Sequence, residues 1–191
     1  MLYELLYKLL THPKAGLACI MEQANLRQAA GIVLAASLLG ISSNMNLSAG
    51  NTFSGGILLA GGLAGMLSWL LVAAVLHVSA TLLGGEGDVR KLLILLGFTS
   101  FVEIVLLPVY LVAALLASAV ADLLVLLLTF SWLVVLYLWS LQLVYHLQPA
   151  RAILALCFPL AAAICLLLCW FFLLVGICTP LFMAAWPALQ L

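Results

Sequence analysis

Long apolar runs separated by short polar segments make up most of this chain. Because an α-helix rises about 1.5 Å per residue and the hydrocarbon core of a bilayer is about 30 Å thick, roughly 20 apolar residues suffice for one membrane-spanning helix. Residues 92–147 contain no Lys or Arg, and as one helix they would measure roughly 84 Å, so they must form two spans that separate near residues 117–122. The pattern predicts five spans, at Gln28–Ser43, Gly55–Leu83, Leu92–Ala119, Leu123–Leu147 and Ala152–Cys178.

The first ten residues predict a short amphipathic helix. Leucines recur at helical spacing from Leu2 to Leu9, and tyrosines and charged residues fill the other side, so this helix should lie at the membrane surface and end before Pro13. The predicted fold class is an all-α, polytopic membrane bundle of five transmembrane helices with this N-terminal interfacial helix. It forms one domain: a lead-in at 1–27, the bundle at 28–178 and an outer tail at 179–191.

Three further features of the spans give local predictions. Asp122 is placed to cap the start of the fourth span. The segment Gln148–Arg151 is predicted as a turn, and Pro108 as a kink in the third span. Gly61 and Gly65 form a G-x-x-x-G face, which lets another helix approach closely, and a helix of the same chain is the favoured partner.

Composition places the protein in the membrane. Hydrophobic residues make up 68% of the chain and charged residues only 6%, whereas soluble domains carry about 25% charged residues. Six basic and six acidic residues leave a formal net charge of zero, which gives no indication of nucleic-acid binding. Lipids are therefore the first expected partners.

All six basic residues fall on one side of the predicted membrane. They are Lys8, Lys14, Arg27, Arg90, Lys91 and Arg151. Because Lys and Arg are enriched in cytoplasmic segments, this distribution predicts a cytoplasmic N-terminus and, after five spans, a C-terminus outside.

The segment from residue 84 to residue 91 (GGEGDVRK) is a glycine-rich, charged loop between the second and third spans. Its candidate contact residues are Gly84, Gly85, Glu86, Asp88, Arg90 and Lys91. Two interpretations remain open: the loop contacts a protein partner or lipid phosphates, or it is a solvated turn whose glycines permit a tight reversal.

Glu103 is predicted to lie near the middle of the bilayer. It follows Lys91 by twelve residues, or about 18 Å of helix, and carboxylates at that depth often mark ion paths, proton relays or lipid contacts. Thr99 shares its helix face, and His77 and Gln142 are expected at a similar inner depth. We predict one polar cluster of these four residues; the alternative is a set of separate helix-to-helix hydrogen bonds.

The sequence gives no indication of a catalytic or metal-binding site. It contains no H-E-x-x-H, G-x-S-x-G or Walker motif, and its three histidines have no metal-ligand spacing. The five cysteines are an odd number without a C-x-x-C pair, which argues against a disulfide framework. The sequence therefore predicts a non-enzymatic protein with no cofactor and no metal.

The order of several short motifs resembles the Yip-domain family of small five-span membrane proteins, in its bacterial form. The motifs are Pro13 in a short lead-in, Leu83-Gly84-Gly85 after span two, Arg90-Lys91 entering span three, Gly97 within it, and the connection from His146 to Ala152. Members often carry a proline shortly after the position of Gly97, whereas here the next proline is Pro108. The family is named for interaction with Ypt/Rab GTPases in eukaryotes, where its members have a long cytoplasmic N-terminal region.

Two functional hypotheses follow from the resemblance and from the residues. The resemblance implies a membrane protein that acts through protein or lipid partners, or as a homo-oligomer, in membrane organisation or trafficking. Its short lead-in favours a bacterial plasma membrane, with the ER or Golgi membrane expected for a eukaryotic protein. The alternative, suggested by Glu103 and Pro108, is a small transporter, channel or lipid carrier that uses an intramembrane acid.

Overall fold

A computed structural model describes residues 2–47, 55–116, 119–159, 161 and 164. Regular structure in this part of the chain is entirely helical, which confirms the all-α prediction. The helices are α1 (Leu2–Thr11), α2 (Pro13–Gln23), α3 (Leu26–Leu47), α4 (Gly55–Leu82), α5 (Val89–Thr99), α6 (Phe101–Leu115), α7 (Ala119–Tyr145) and α8 (Pro149–Pro159).

Three helical segments within the described residues are long and apolar enough to cross a membrane. They are Gly55–Leu82, Val89–Leu115 and Val120–Tyr145. The apolar part of α3, Leu26–Ser42, is shorter than these three. The predicted fifth span continues beyond α8 into residues outside the described part of the chain, as does the predicted tail at 179–191.

The first two helices form a hairpin that packs against the bundle. Pro13 opens α2, so it ends α1 as predicted. The two helices cross closely, because a Cβ atom at Gly16 would lie 2.7 Å from the backbone nitrogen of Leu9. Leu5 and Leu9 are 3% and 1% exposed and share a core with Leu17 of α2. The leucine face of α1 is therefore directed at protein, while its two tyrosines are exposed.

Helix α5 lies at the centre of the bundle. It contacts α2, α3, α4 and α7, and 44% of the apolar window in Val89–Leu115 is buried against 17% in each of the other two candidate spans. A Cβ atom at Gly97 would lie 2.7 Å from the Cβ atom of Ala29. Helices α3 and α5 thus cross almost backbone to backbone, which requires glycine at this position.

The G-x-x-x-G face of α4 packs against α3. Added Cβ atoms at Gly61 and Gly65 would collide with Ile41 and Ser37. This confirms the prediction that a helix of the same chain is the partner. One turn beyond Gly65 in α4, the indole nitrogen of Trp69 donates a hydrogen bond of 3.2 Å to the carbonyl of Leu93 in α5.

The third predicted span is divided at Ser100, a break that the apolar pattern did not predict. The hydroxyl of Thr99 donates to the Leu96 carbonyl at 2.7 Å, and the hydroxyl of Ser100 reaches the same carbonyl at 3.4 Å. Such back-bonding competes with the helix ladder and bends helices. Helix α6 then runs through Pro108 from residue 101 to residue 115.

Two predicted connections are corrected by the structure. Helix α7 begins at Ala119, so Asp122 lies in its first turn rather than at its cap. Pro149 already opens α8, so the turn spans 146–148 instead of 148–151. His146, with φ of 52°, supplies the left-handed backbone of this turn.

Candidate functional sites

The loop after α4 begins with a glycine helix cap. Gly84 has φ of 81°, a conformation that costs other residues roughly 1–2 kcal/mol. Its backbone N–H donates a hydrogen bond of 3.0 Å to the carbonyl of Thr81, and the N–H of Gly85 donates one of 2.9 Å to the carbonyl of Ala80. This pairing is the Schellman motif, which satisfies two carbonyls of the last helical turn.

The rest of the loop rests on Tyr145, at the end of α7. A Cβ atom at Gly85 would lie 2.9 Å from the Tyr145 Cβ atom, and one at Gly87 would lie 2.7 Å from the carbonyl oxygen of Val144. Tyr145 is 2% exposed, and its hydroxyl lies 2.5 Å from Nδ1 of His77 in α4. The loop, α4 and α7 are therefore joined at one tyrosine.

The charged residues of the loop have different roles. Asp88 caps α5, because its carboxylate accepts a hydrogen bond of 2.8 Å from the backbone N–H of Arg90. The side chains of Glu86, Arg90 and Lys91 are exposed. The glycines and Asp88 thus have structural roles. Glu86 is exposed in the loop, whereas Arg90 and Lys91, which were predicted as part of the loop, are exposed in the first turn of α5.

Glu103 lines a large, mostly apolar groove between α3, α6 and α7. The groove has a volume of about 750 Å³. Leu39, Leu111 and Leu126, which line it, are 39–57% exposed, so it opens on the apolar outer surface of the bundle. Asp122 lies among its other lining residues.

Glu103 also lines a second and smaller cavity, of about 160 Å³, between the helices; this cavity is partly open, because Ser68 and Glu103 in its lining are exposed. This chamber is bordered by α3, α4, α5 and α7 as well as α6, and hydroxyl groups contribute much of its wall. They belong to Ser37, Ser68, Ser100 and Tyr137. The Tyr137 side chain is close to both Thr99 and Glu103.

The structure places the four residues of the predicted polar cluster in three settings. Glu103 and Thr99 both lie near the Tyr137 side chain. His77 instead pairs with Tyr145. Gln142 lines a shallow pocket beside Lys14 and Trp139, where the Lys14 ammonium lies 5.0 Å from the centre of the Trp139 ring. Local spacing brought two of the four together, and tertiary packing separated the others.

Two tyrosines central to these sites were not predicted. Tyr137 and Tyr145 both lie on α7, where they are two of many aromatic and aliphatic residues in an apolar run. A buried tyrosine hydroxyl usually has a hydrogen-bond partner, so the presence of tyrosines inside a predicted span was the one sequence feature that could have indicated these sites. Which partner it finds depends on helix packing.

A comparison with protein-family models decides the family. The model of the Yip1 domain matches residues 7–171 of the 191-residue chain. The chain belongs to the Yip1 domain family. No curated protein and no solved structure gives a significant match.

The Yip1-domain match covers both candidate sites. It includes the loop, the Gly97 crossing and Glu103. Together with the three long apolar helical segments, it identifies this Yip1-domain chain as a multi-pass membrane protein.

Proposed function

We propose that this protein organises membranes or assists trafficking without enzymatic activity. It does so by contacting anionic lipids or a protein partner through its basic end, the side of the predicted membrane that carries all six Lys and Arg residues. The observation that carries the proposal is the exposure of all six basic side chains. Two of them, Arg90 and Lys91, follow a loop that is fixed by Gly84 and Tyr145. Basic side chains held at a membrane surface attract anionic headgroups.

The proposal includes a topology of five spans within residues 28–178, with the N-terminus in the cytoplasm of a bacterium. In a cysteine-free background, single cysteines in place of exposed Glu86 and Leu116 should report opposite sides. We expect an impermeant maleimide to label Leu116→Cys in intact cells and Glu86→Cys only after lysis. The reverse pattern would invert the topology and overturn the cytoplasmic assignment of the basic end.

Neutralising the basic pair at the start of α5 should weaken binding of anionic lipid. Each basic residue near an anionic surface contributes about 1 kcal/mol, so Arg90→Gln with Lys91→Gln should lower affinity by roughly 30-fold. The measurement is titration of the detergent-purified protein with a fluorescent phosphatidylglycerol. Glu86→Gln, in the same loop, is the matched control and should not weaken binding.

An unchanged lipid affinity in the double variant would exclude lipid as the partner of this loop. Crosslinking in cells would then test the protein-partner form of the proposal. If crosslinking yields only the uncrosslinked monomer, for the original protein and for the double variant alike, the proposal of a protein partner is contradicted as well.

A second candidate function is a small transporter, channel or lipid carrier. It is favoured by the position of Glu103, which lines both the apolar groove and the hydroxyl-lined chamber. Reconstituted protein should then move an ion or a lipid across liposomes, and Glu103→Gln should abolish that flux. Absence of flux in the unaltered protein would remove this candidate.

A further inference from the structure

The groove and the chamber share two residues, Glu103 and Ala36. Ala36 is small and 7% exposed, so the longer Glu103 side chain is the polar group common to both spaces. The chamber volume of about 160 Å³ has room for roughly five water molecules at about 30 Å³ each. Glu103 thus stands between a hydroxyl-lined space and an apolar groove.

We propose that Glu103 is a proton-exchange site that takes up a proton from the hydroxyl-lined chamber and can release it toward the groove. The inference rests on the second candidate function and specifies its ligand. Uptake forms one O–H bond on the carboxylate and consumes one proton from water, and release reverses that step. No further reactant is required.

The groups around Glu103 favour a proton over a paired cation. The titratable side chains that line the two spaces with it are Tyr137 in the chamber, and Tyr110 and Asp122 in the groove. No Lys, Arg or His lines either space among the described residues. A carboxylate at membrane depth without a basic partner is expensive as an anion, and binding a proton removes that charge.

Access from the groove is tested by covalent labelling. Dicyclohexylcarbodiimide is an apolar reagent that adds to protonated carboxyl groups, and mass spectrometry locates the product. With the full-length protein in liposomes, we expect labelling of Glu103 that declines as the pH is raised. Asp122 is the internal comparison because it lines only the groove. Labelling of Asp122 without labelling of Glu103 at any pH would overturn the proposal.

Contact with the chamber is tested by infrared spectroscopy. The carbonyl band of protonated Glu103, identified as the band lost in Glu103→Gln, should disappear at alkaline pH. Tyr137→Phe should shift this band to higher wavenumber by removing a hydroxyl from the chamber. The matched control is Tyr110→Phe, because the Tyr110 hydroxyl donates to Thr129 at 2.8 Å and lines only the groove.

The two tests separate the proton site from the transport function. A titrating Glu103 band without flux in liposomes would keep the proton site and remove the carrier. A flux that survives Glu103→Gln, or a band that never titrates, would overturn the proton site. Equal shifts in Tyr137→Phe and Tyr110→Phe, in variants that remain monodisperse, would overturn the role of the chamber.

Discussion

Replacing Gly97 by alanine should destabilise the protein, whereas the same change at Gly31 should not. The added methyl at residue 97 would lie 2.7 Å from the Cβ atom of Ala29 and 3.1 Å from its Cα and carbonyl oxygen. Two of these atoms are backbone, so the helices must separate, and overpacking of this kind costs about 1–3 kcal/mol. Thermal unfolding of the detergent-purified protein measures the difference.

Gly31 is the matched control because it lies in α3 and a Cβ atom there would meet nothing within 4 Å. Alanine at that position should be neutral or raise stability by up to about 1 kcal/mol, through its higher helix propensity. Combining Gly97→Ala with Ala29→Gly should restore part of the lost stability, as contacting residues are not additive. Equal melting temperatures for the two single variants would contradict the close crossing of α3 and α5.

Replacing Tyr145 by alanine should have the largest effect on the basic end of the bundle. The ring is 2% exposed and supports Gly85 and Gly87 of the loop. Deleting a buried aromatic side chain costs about 3–5 kcal/mol, whereas Tyr145→Phe should cost only about 1 kcal/mol for the lost bond to His77. Thermal unfolding ranks the two variants, and amide hydrogen exchange of residues 84–88 reports the release of the loop.

Tyr3 and Tyr7 provide the comparison for this prediction. They are 77% and 58% exposed, so alanine at either position should change stability by no more than about 0.5 kcal/mol. Faster exchange in the loop should accompany Tyr145→Ala and should be absent in Tyr3→Ala. A loop that stays protected in Tyr145→Ala would show that its glycines hold it without the tyrosine.

Apolar patterning predicted the long helices well because length and hydropathy are local properties. Helix α4 begins at the predicted Gly55 and ends at Leu82, one residue before the prediction. The division at Ser100 was missed because it depends on which hydroxyl reaches the Leu96 carbonyl. A sequence pattern contains Thr99 and Ser100 but does not determine their rotamers.

The sites were predictable only as far as local spacing reaches. Glu103 and Thr99 are four residues apart, and both approach Tyr137. The pairing of His77 with Tyr145 joins residues 68 positions apart in the chain, so no helical period could indicate it. The two spaces around Glu103 are likewise built from side chains of several helices.

The central place of α5 has a consequence for how the protein is made. Helices α3 and α4 leave the ribosome before α5, and α7 leaves after it, yet all three pack on α5. A nascent chain that ends after α6 therefore lacks the helix that covers one side of α5. The bundle can close around its most buried helix only after residue 145 has been synthesised and has entered the membrane.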